Sequence, residues 1–245
     1  MKRIILYAVT LEILYLSLSF LICQVFGQWS VTGEVIRTVF RIVSIAILGY
    51  FYQKYFYNEN RAFQGKTLFT AEFNVAVVLL FIFAVSYTNS ENESLWWQFI
   101  FVISGFAAGL REELFYRGIL QNSLQQIYDV KTGLSIATIL FTLSHVQYIY
   151  YGQIQGLLLI AIAGVIFGAI FIFTGSVVIA ATVHVLYDAL LSVNLSSMKL
   201  SKEAALPTLF VIMVVFMSLL YKKTHPVQSE SKRTNNKNSD TLSLG

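Results

Sequence analysis

Charge and proline are both scarce in this 245-residue chain: Asp, Glu, Lys and Arg together make up 12%, and proline occurs only at Pro207 and Pro226. Soluble domains carry roughly a quarter charged residues, so a water-facing surface over a fold of this length is excluded. The lone cysteine, Cys23, excludes an intramolecular disulfide. It lies in an apolar run, where a free thiol reads as a packed side chain. Leu21-Ile22 just before it are too large for a lipoprotein signal, and no small-residue cleavage site follows. The first apolar run therefore reads as a retained helix. A basic stripe interleaved with aromatics is also missing, so no nucleic-acid partner is expected.

What the chain has in excess is apolar residue, 56% of the total. Apolar runs near the ~20 residues needed to cross a bilayer recur along most of its length. The reading is an all-α polytopic membrane protein, a bundle of about eight transmembrane helices around a buried polar site. Hydropathy predicts spans near Ile4–Phe26, Val35–Tyr52, Phe69–Tyr87, Trp96–Ile127, Leu134–Ile149 and Ile154–Phe173, then two more ending near Val193 and Tyr221. Residues 1–222 form the transmembrane domain, with its core at about 95–195; the polar stretch 223–245 reads as a disordered cytosolic tail.

The positive-inside bias puts the N-terminus, the Gln53–Lys66 loop, the Asp129–Lys131 turn and the tail on the cytoplasmic side, with Arg37 and Arg41 near the opposite edge. An integral membrane protein with both termini cytoplasmic follows as the expectation. Trp96, Trp97, Tyr148, Tyr150 and Tyr151 read as interface markers. Glycines spaced by four (Gly105/Gly109, Gly152/Gly156 and Gly164/Gly168) predict close helix–helix approach on the fourth and sixth spans.

The informative stretch is Arg111-Glu112-Glu113-Leu114-Phe115-Tyr116-Arg117-Gly118. Each ionised residue at bilayer depth costs a few kcal/mol, so these charges need partners. Glu113 and Arg117 are i, i+4 and can pair. Glu112, turned about 100° away by the helical period, is the carboxylate left over. A spare buried carboxylate suits a general base. His145 lies in the fifth span and His184 in the seventh, where Asp188 follows it at i+4; the third histidine, His225, falls in the polar tail. Ionisable groups from three helices thus converge on the membrane interior, where such groups mark function. For this purpose the fourth helix must be long, reaching about Gln125, so that Glu112 comes to the depth of the histidines.

Glu112-Glu113-x-x-x-Arg117, Phe141-x-x-x-His145 and His184-x-x-x-Asp188 resemble, in order, the three motifs of the CAAX-protease and bacteriocin-processing (CPBP, or Abi) family. The resemblance covers about Gly105 to Val193. It implies an intramembrane endopeptidase in which Glu112 and His145 activate water, His184 and Asp188 stabilise the oxyanion, and Glu113 and Arg117 support them. CAAX-processing members commonly carry Asn where this chain has Asp188. An ionised Asp cannot donate to an oxyanion, so here Asp188 either orients or protonates His184 or is itself protonated. The implied substrate is a membrane-associated peptide or protein terminus, met within the lipid bilayer. A small bacterial member implies pheromone or bacteriocin processing, or self-immunity.

No cofactor is expected, because a glutamate base needs only a positioned water. A divalent metal such as zinc is the alternative, although the H-E-x-x-H spacing is absent. Two other functions stay open: a non-catalytic membrane immunity or regulatory binding protein, and a small proton-coupled transporter. For the transporter, no inverted repeat or pair of broken half-helices is present in the sequence.

Overall fold

The computed structural model describes residues 2–27, 30–56, 70–87, 94–193 and 199–224. Among these residues nearly all are helical and none is in a strand. The helices are α1 (Lys2–Phe26), α2 (Val31–Phe51, followed by a π-helical turn Tyr52–Phe56), α3 (Ala71–Ser86) and α4 (Leu95–Glu112). α4 runs without a break into a π-helical segment, Glu113–Gln121, and then into α5 (Asn122–Ile127). They are followed by α6 (Val130–Leu143), the short α7 (Gln147–Tyr150), α8 (Ile154–Thr174), α9 (Val177–Ser192) and α10 (Lys202–Thr224).

Local chemistry sets the helix starts. Ser30, Thr70, Ser94, Asp129 and Ser176 are extended residues whose side chains each accept the backbone N–H three residues on, which satisfies one of the orphan donors of a helix N-terminus. α8 ends at Gly175, which takes the left-handed conformation (φ 66°) that a side chain disfavours.

Among the described residues five helical stretches are long and apolar enough to cross a membrane: Ile5–Phe26, Val31–Phe56, Val130–Tyr150, Ile154–Thr174 and Lys202–Thr224. Ala71–Ser86 and Val177–Ser192 are shorter and apolar. The α4–α5 run owes its charges to the cluster read from the sequence. Outward-facing Leu6, Ile13, Val39, Phe106, Val178 and Phe210 are exposed, as lipid-facing side chains must be when burial inside the protein is not what drives them out of water. The architecture is thus an all-α membrane bundle.

α4 packs between α2 and α9, while α8 packs between α6 and α10. One apolar core joins α3, α8, α9 and α10 through Phe73, Leu80, Phe167, Ile170, Val183 and Leu209. A second joins α1, α2, the π segment and α6 through Ala8, Leu48, Phe115, Ile119 and Phe141. The polar groups lie between these two cores.

Three expectations change in detail. α2 begins at Val31, earlier than the expected Val35, so Arg37 and Arg41 lie within a helix, both paired with Glu34. The fifth span breaks after Leu143, leaving His145 in the turn between α6 and α7. Gly152 precedes α8 at φ +71° with open space around it, so Gly152/Gly156 is no helix-packing pair. The acidic loop after Tyr87 and most of the Gln53–Lys66 loop lie outside the described residues, as does the tail beyond Thr224, with His225.

Candidate active site

Glycine decides how close α4 and α9 come. A Cβ on Gly105 would sit 3.3 Å from Asp188 Cβ, and one on Gly109 would sit 3.2 Å from Val185 Cγ2 and 3.4 Å from His184 Cγ. The Gly105/Gly109 pair therefore faces His184 and Asp188 of α9, and the next turn of the helical run brings Glu112 and Glu113 alongside His184.

The carboxylate of Glu112 lies 3.7 Å (Oε1) from His145 Nε2 and 4.0 Å (Oε2) from His184 Nε2. Asp188 Oδ2 lies 3.5 Å from the same His184 nitrogen. The sequence-predicted residues Glu112, His145, His184 and Asp188 are thus brought together from α4, the α6–α7 turn and α9. The side chains of Glu112, His145 and Asp188 keep 13%, 19% and 26% of their exposure, against 5% for His184. The three form the open side of the cluster, and His184 forms its back wall.

Hydrogen bonds fix the two imidazoles differently. His145 Nδ1 lies 2.9 Å from the Phe141 carbonyl, an acceptor only, so Nδ1 carries the proton and Nε2 presents a lone pair towards Glu112 in the neutral ring. His184 Nδ1 donates to Glu113 Oε1 at 2.9 Å. Donation from its other nitrogen then requires the doubly protonated ring, and the carboxylates of Glu113, Asp188 and Glu112 supply the negative charge such a ring needs. His184 stacks on Phe167 at 4.0 Å, and Phe141 flanks both imidazoles, 4.9 Å from His145 and 6.2 Å from His184.

Glu113 and Arg117 do approach as an i, i+4 pair, 3.4 Å apart and almost fully buried. The pairing is incomplete, because Arg117 also donates to the Gly164 carbonyl of α8 at 3.1 Å. Glu113 is closer to His184 than to Arg117. The helical-wheel reading did not assign this contact with the imidazole. Among the described residues no group of three or more His, Cys, Asp or Glu side chains is disposed to hold a metal ion.

Two further polar groups were missed from the sequence. Glu12 on α1 is buried against Arg111. Glu34 on α2 is buried against Arg37, Arg41 and Ser104. For Glu12, a lone carboxylate within an apolar run was the available signal, since each such charge needs a partner at depth; for Glu34 it was the i, i+3 spacing to Arg37.

A membrane bundle with two glutamates, two histidines and an aspartate gathered between its helices defines an integral membrane protein with a buried carboxylate–imidazole centre. Residues 92–190 match the family model described as type II CAAX prenyl endopeptidase Rce1-like, consistent with an intramembrane protease of the CPBP family. That segment runs from the start of α4 to the last turn of α9 and contains every residue of the cluster. The match supports a CAAX-type intramembrane endopeptidase in general terms. No curated protein and no solved structure matches the chain.

Proposed function

We propose that the chain hydrolyses a peptide bond of a membrane-associated peptide or protein terminus, using a water activated by Glu112. The observation that carries this reading is the approach of the Glu112 carboxylate to His145 Nε2 and His184 Nε2, at 3.7 and 4.0 Å. A water donating one hydrogen to Glu112 and the other to the lone pair of His145 Nε2 keeps its own lone pair free to attack. The new C–O bond forms as Glu112 takes the proton. The carbonyl oxygen becomes an oxyanion facing the protonated Nε2 of His184, and Asp188 orients that proton. Collapse breaks the C–N bond, and Glu112 returns its proton to the leaving amine.

The half-open side formed by Glu112, His145 and Asp188 favours a substrate that arrives laterally between helices. In the bacterial setting that the resemblance implies, this chemistry fits maturation of a peptide signal or bacteriocin, or self-immunity. The helix order fits both chain ends on the cytoplasmic side, with the α6–α7 turn and His145 towards the opposite face.

The test is cleavage of a panel of membrane peptides by the full chain in lipid nanodiscs, comparing wild type with Glu112→Gln, with and without chelator. We expect cleavage that Glu112→Gln reduces by roughly two to four orders of magnitude, the contribution of a general base, and that chelator leaves unchanged. Loss in chelator would bring back the divalent-metal alternative. A cellular phenotype that survives Glu112→Gln would transfer the assignment to a non-catalytic immunity or regulatory binding protein.

A further inference from the structure

Arg111 is 2% exposed and cannot remain an unpaired cation inside the bundle. Two carboxylates lie within its reach, both near Nη2. Glu12 of α1 accepts from both terminal nitrogens, one contact to Oε2 and one of 3.2 Å to Oε1. Glu112 Oε1 lies 4.0 Å from Arg111 Nη2, beyond hydrogen-bond length. The Tyr15 ring, 3.8 Å from the guanidinium carbon, holds the cation in place on the α1 side. Glu12 therefore competes with Glu112 for Arg111, and in this structure Glu12 holds it.

Glu12 has a second arm. The Tyr116 hydroxyl donates to Glu12 Oε1 at 2.9 Å, and neutralising Arg111 does not require that bond. The Tyr116 ring packs edge-on against Phe141 at 5.2 Å. The Phe141 carbonyl is the acceptor that fixes the His145 tautomer, and the Ser144 hydroxyl bonds the same carbonyl at 2.7 Å and lies 3.1 Å from His145 Nδ1. One carboxylate thus bears on both partners of the water: through Arg111 on Glu112, and through Tyr116 and Phe141 on His145.

We propose that Glu12 is a positioning residue of the active site. It keeps Arg111 off the Glu112 carboxylate and seats the turn that carries His145. The idea rests on the Glu112 reading above for its meaning in catalysis, but its geometric content stands apart from any cleavage. It also means that the matched segment 92–190 is not self-sufficient, because α1 lies outside it.

The first readout is the 15N-histidine NMR spectrum of the full chain in nanodiscs, which has only three histidines to assign. The wild type should show His145 as the Nδ1–H tautomer. Glu12→Leu frees Arg111 to pair with Glu112 and should shift the His145 ring nitrogens or mix its tautomers. Glu12→Gln keeps an acceptor for Tyr116 and should move the ring less. Should Glu12→Leu not fold, the comparison of Glu12→Gln alone, which leaves Arg111 without its charged partner, with Glu12→Gln plus Arg111→Met carries the same test. Adding Arg111→Met to Glu12→Leu removes the competing cation and should restore much of the Glu112 arm.

Ile22→Ala, at a buried α1 position away from this cluster, controls for general loosening of α1 and should leave the ring signals in place. Where cleavage is measurable, Glu12→Leu should lower kcat roughly ten- to a hundredfold with little change in KM, the cost of a misplaced base, and Arg111→Met should recover part of it. Ring signals unchanged in every Glu12 variant would overturn the proposal, even with activity lost. Ring signals that move in a chain that cleaves nothing would uphold it and sink the protease reading instead.

Discussion

Removing Arg117 isolates the energetic role of the buried pair behind His184. Its side chain is 1% exposed and that of Glu113 is 0% exposed, with Nε and Oε2 3.4 Å apart. Arg117→Met leaves the Glu113 carboxylate inside the bundle with His184 Nδ1–H as its remaining hydrogen-bond donor among the described residues. Breaking a buried pair in this one-sided way costs about 3–5 kcal/mol. Loss of the 3.1 Å bond to the Gly164 carbonyl adds about 1 kcal/mol.

The expected destabilisation of about 4–6 kcal/mol corresponds to roughly three to four orders of magnitude in the unfolding constant. Adding Glu113→Gln removes the stranded charge while keeping an amide oxygen for His184, and the double variant should recover at least half of the loss. Steric-trapping measurements of unfolding in bicelles give both values. A single variant that costs under about 1 kcal/mol, or a double variant no better than the single, would refute the claim that the pair is a compensated buried charge.

Two further outcomes test packing and capping. Gly168→Ala would place a Cβ 2.3 Å from Leu134 Cδ1 and 3.0 Å from Gln121 Oε1, so overpacking should cost about 1–3 kcal/mol; Gly49→Ala, with nothing within 4 Å, should be neutral or slightly stabilising by thermal denaturation in detergent. Asp129 lies outside the membrane-spanning helices, and the Thr132 hydroxyl and N–H that it accepts hold its carboxyl below the usual carboxylate range. Its contribution is present above the ordinary carboxylate pKa and is lost as pH falls through the lowered value, so Asp129→Ala should lower the melting temperature at neutral pH and make little difference in strong acid.

The sequence carried the long helices because an apolar run of membrane length has few other readings. It carried the cluster because charges at bilayer depth demand partners, and Glu112, His145, His184 and Asp188 lie on three segments that meet. The long fourth helix was legible for the same reason: without it Glu112 could not reach the histidines, and the helical run does extend from Leu95 to Ile127. Periodicity misjudged what lies between. A wheel of 3.6 residues pairs Glu113 with Arg117 alone, whereas the helix changes to π geometry at Glu113 and turns that carboxylate towards His184. The roles of Glu12 and Glu34 depend on which helix packs beside which, and no local spacing encodes that. Arg37 and Arg41 looked like edge residues because the carboxylate that neutralises them, Glu34, sits just before the run that hydropathy selects.

The π segment also bears on how this chain can vary over time. A helix whose turns close at i+5 holds a surplus residue relative to an α-helix. Deleting one residue between Leu114 and Leu120 would remove that surplus and let the turn relax to α geometry, which leaves the flanking helices roughly in phase but re-aims the side chains of the turn itself. Glu113, at the head of the segment, would then lose its alignment with His184 Nδ1, and Arg117 and Gln121 theirs with the Gly164 and Gly168 carbonyls of α8. The residue count of this stretch acts as a gear setting for the side chains it carries. Among related chains, insertions and deletions should therefore collect in the loops and stay out of this turn.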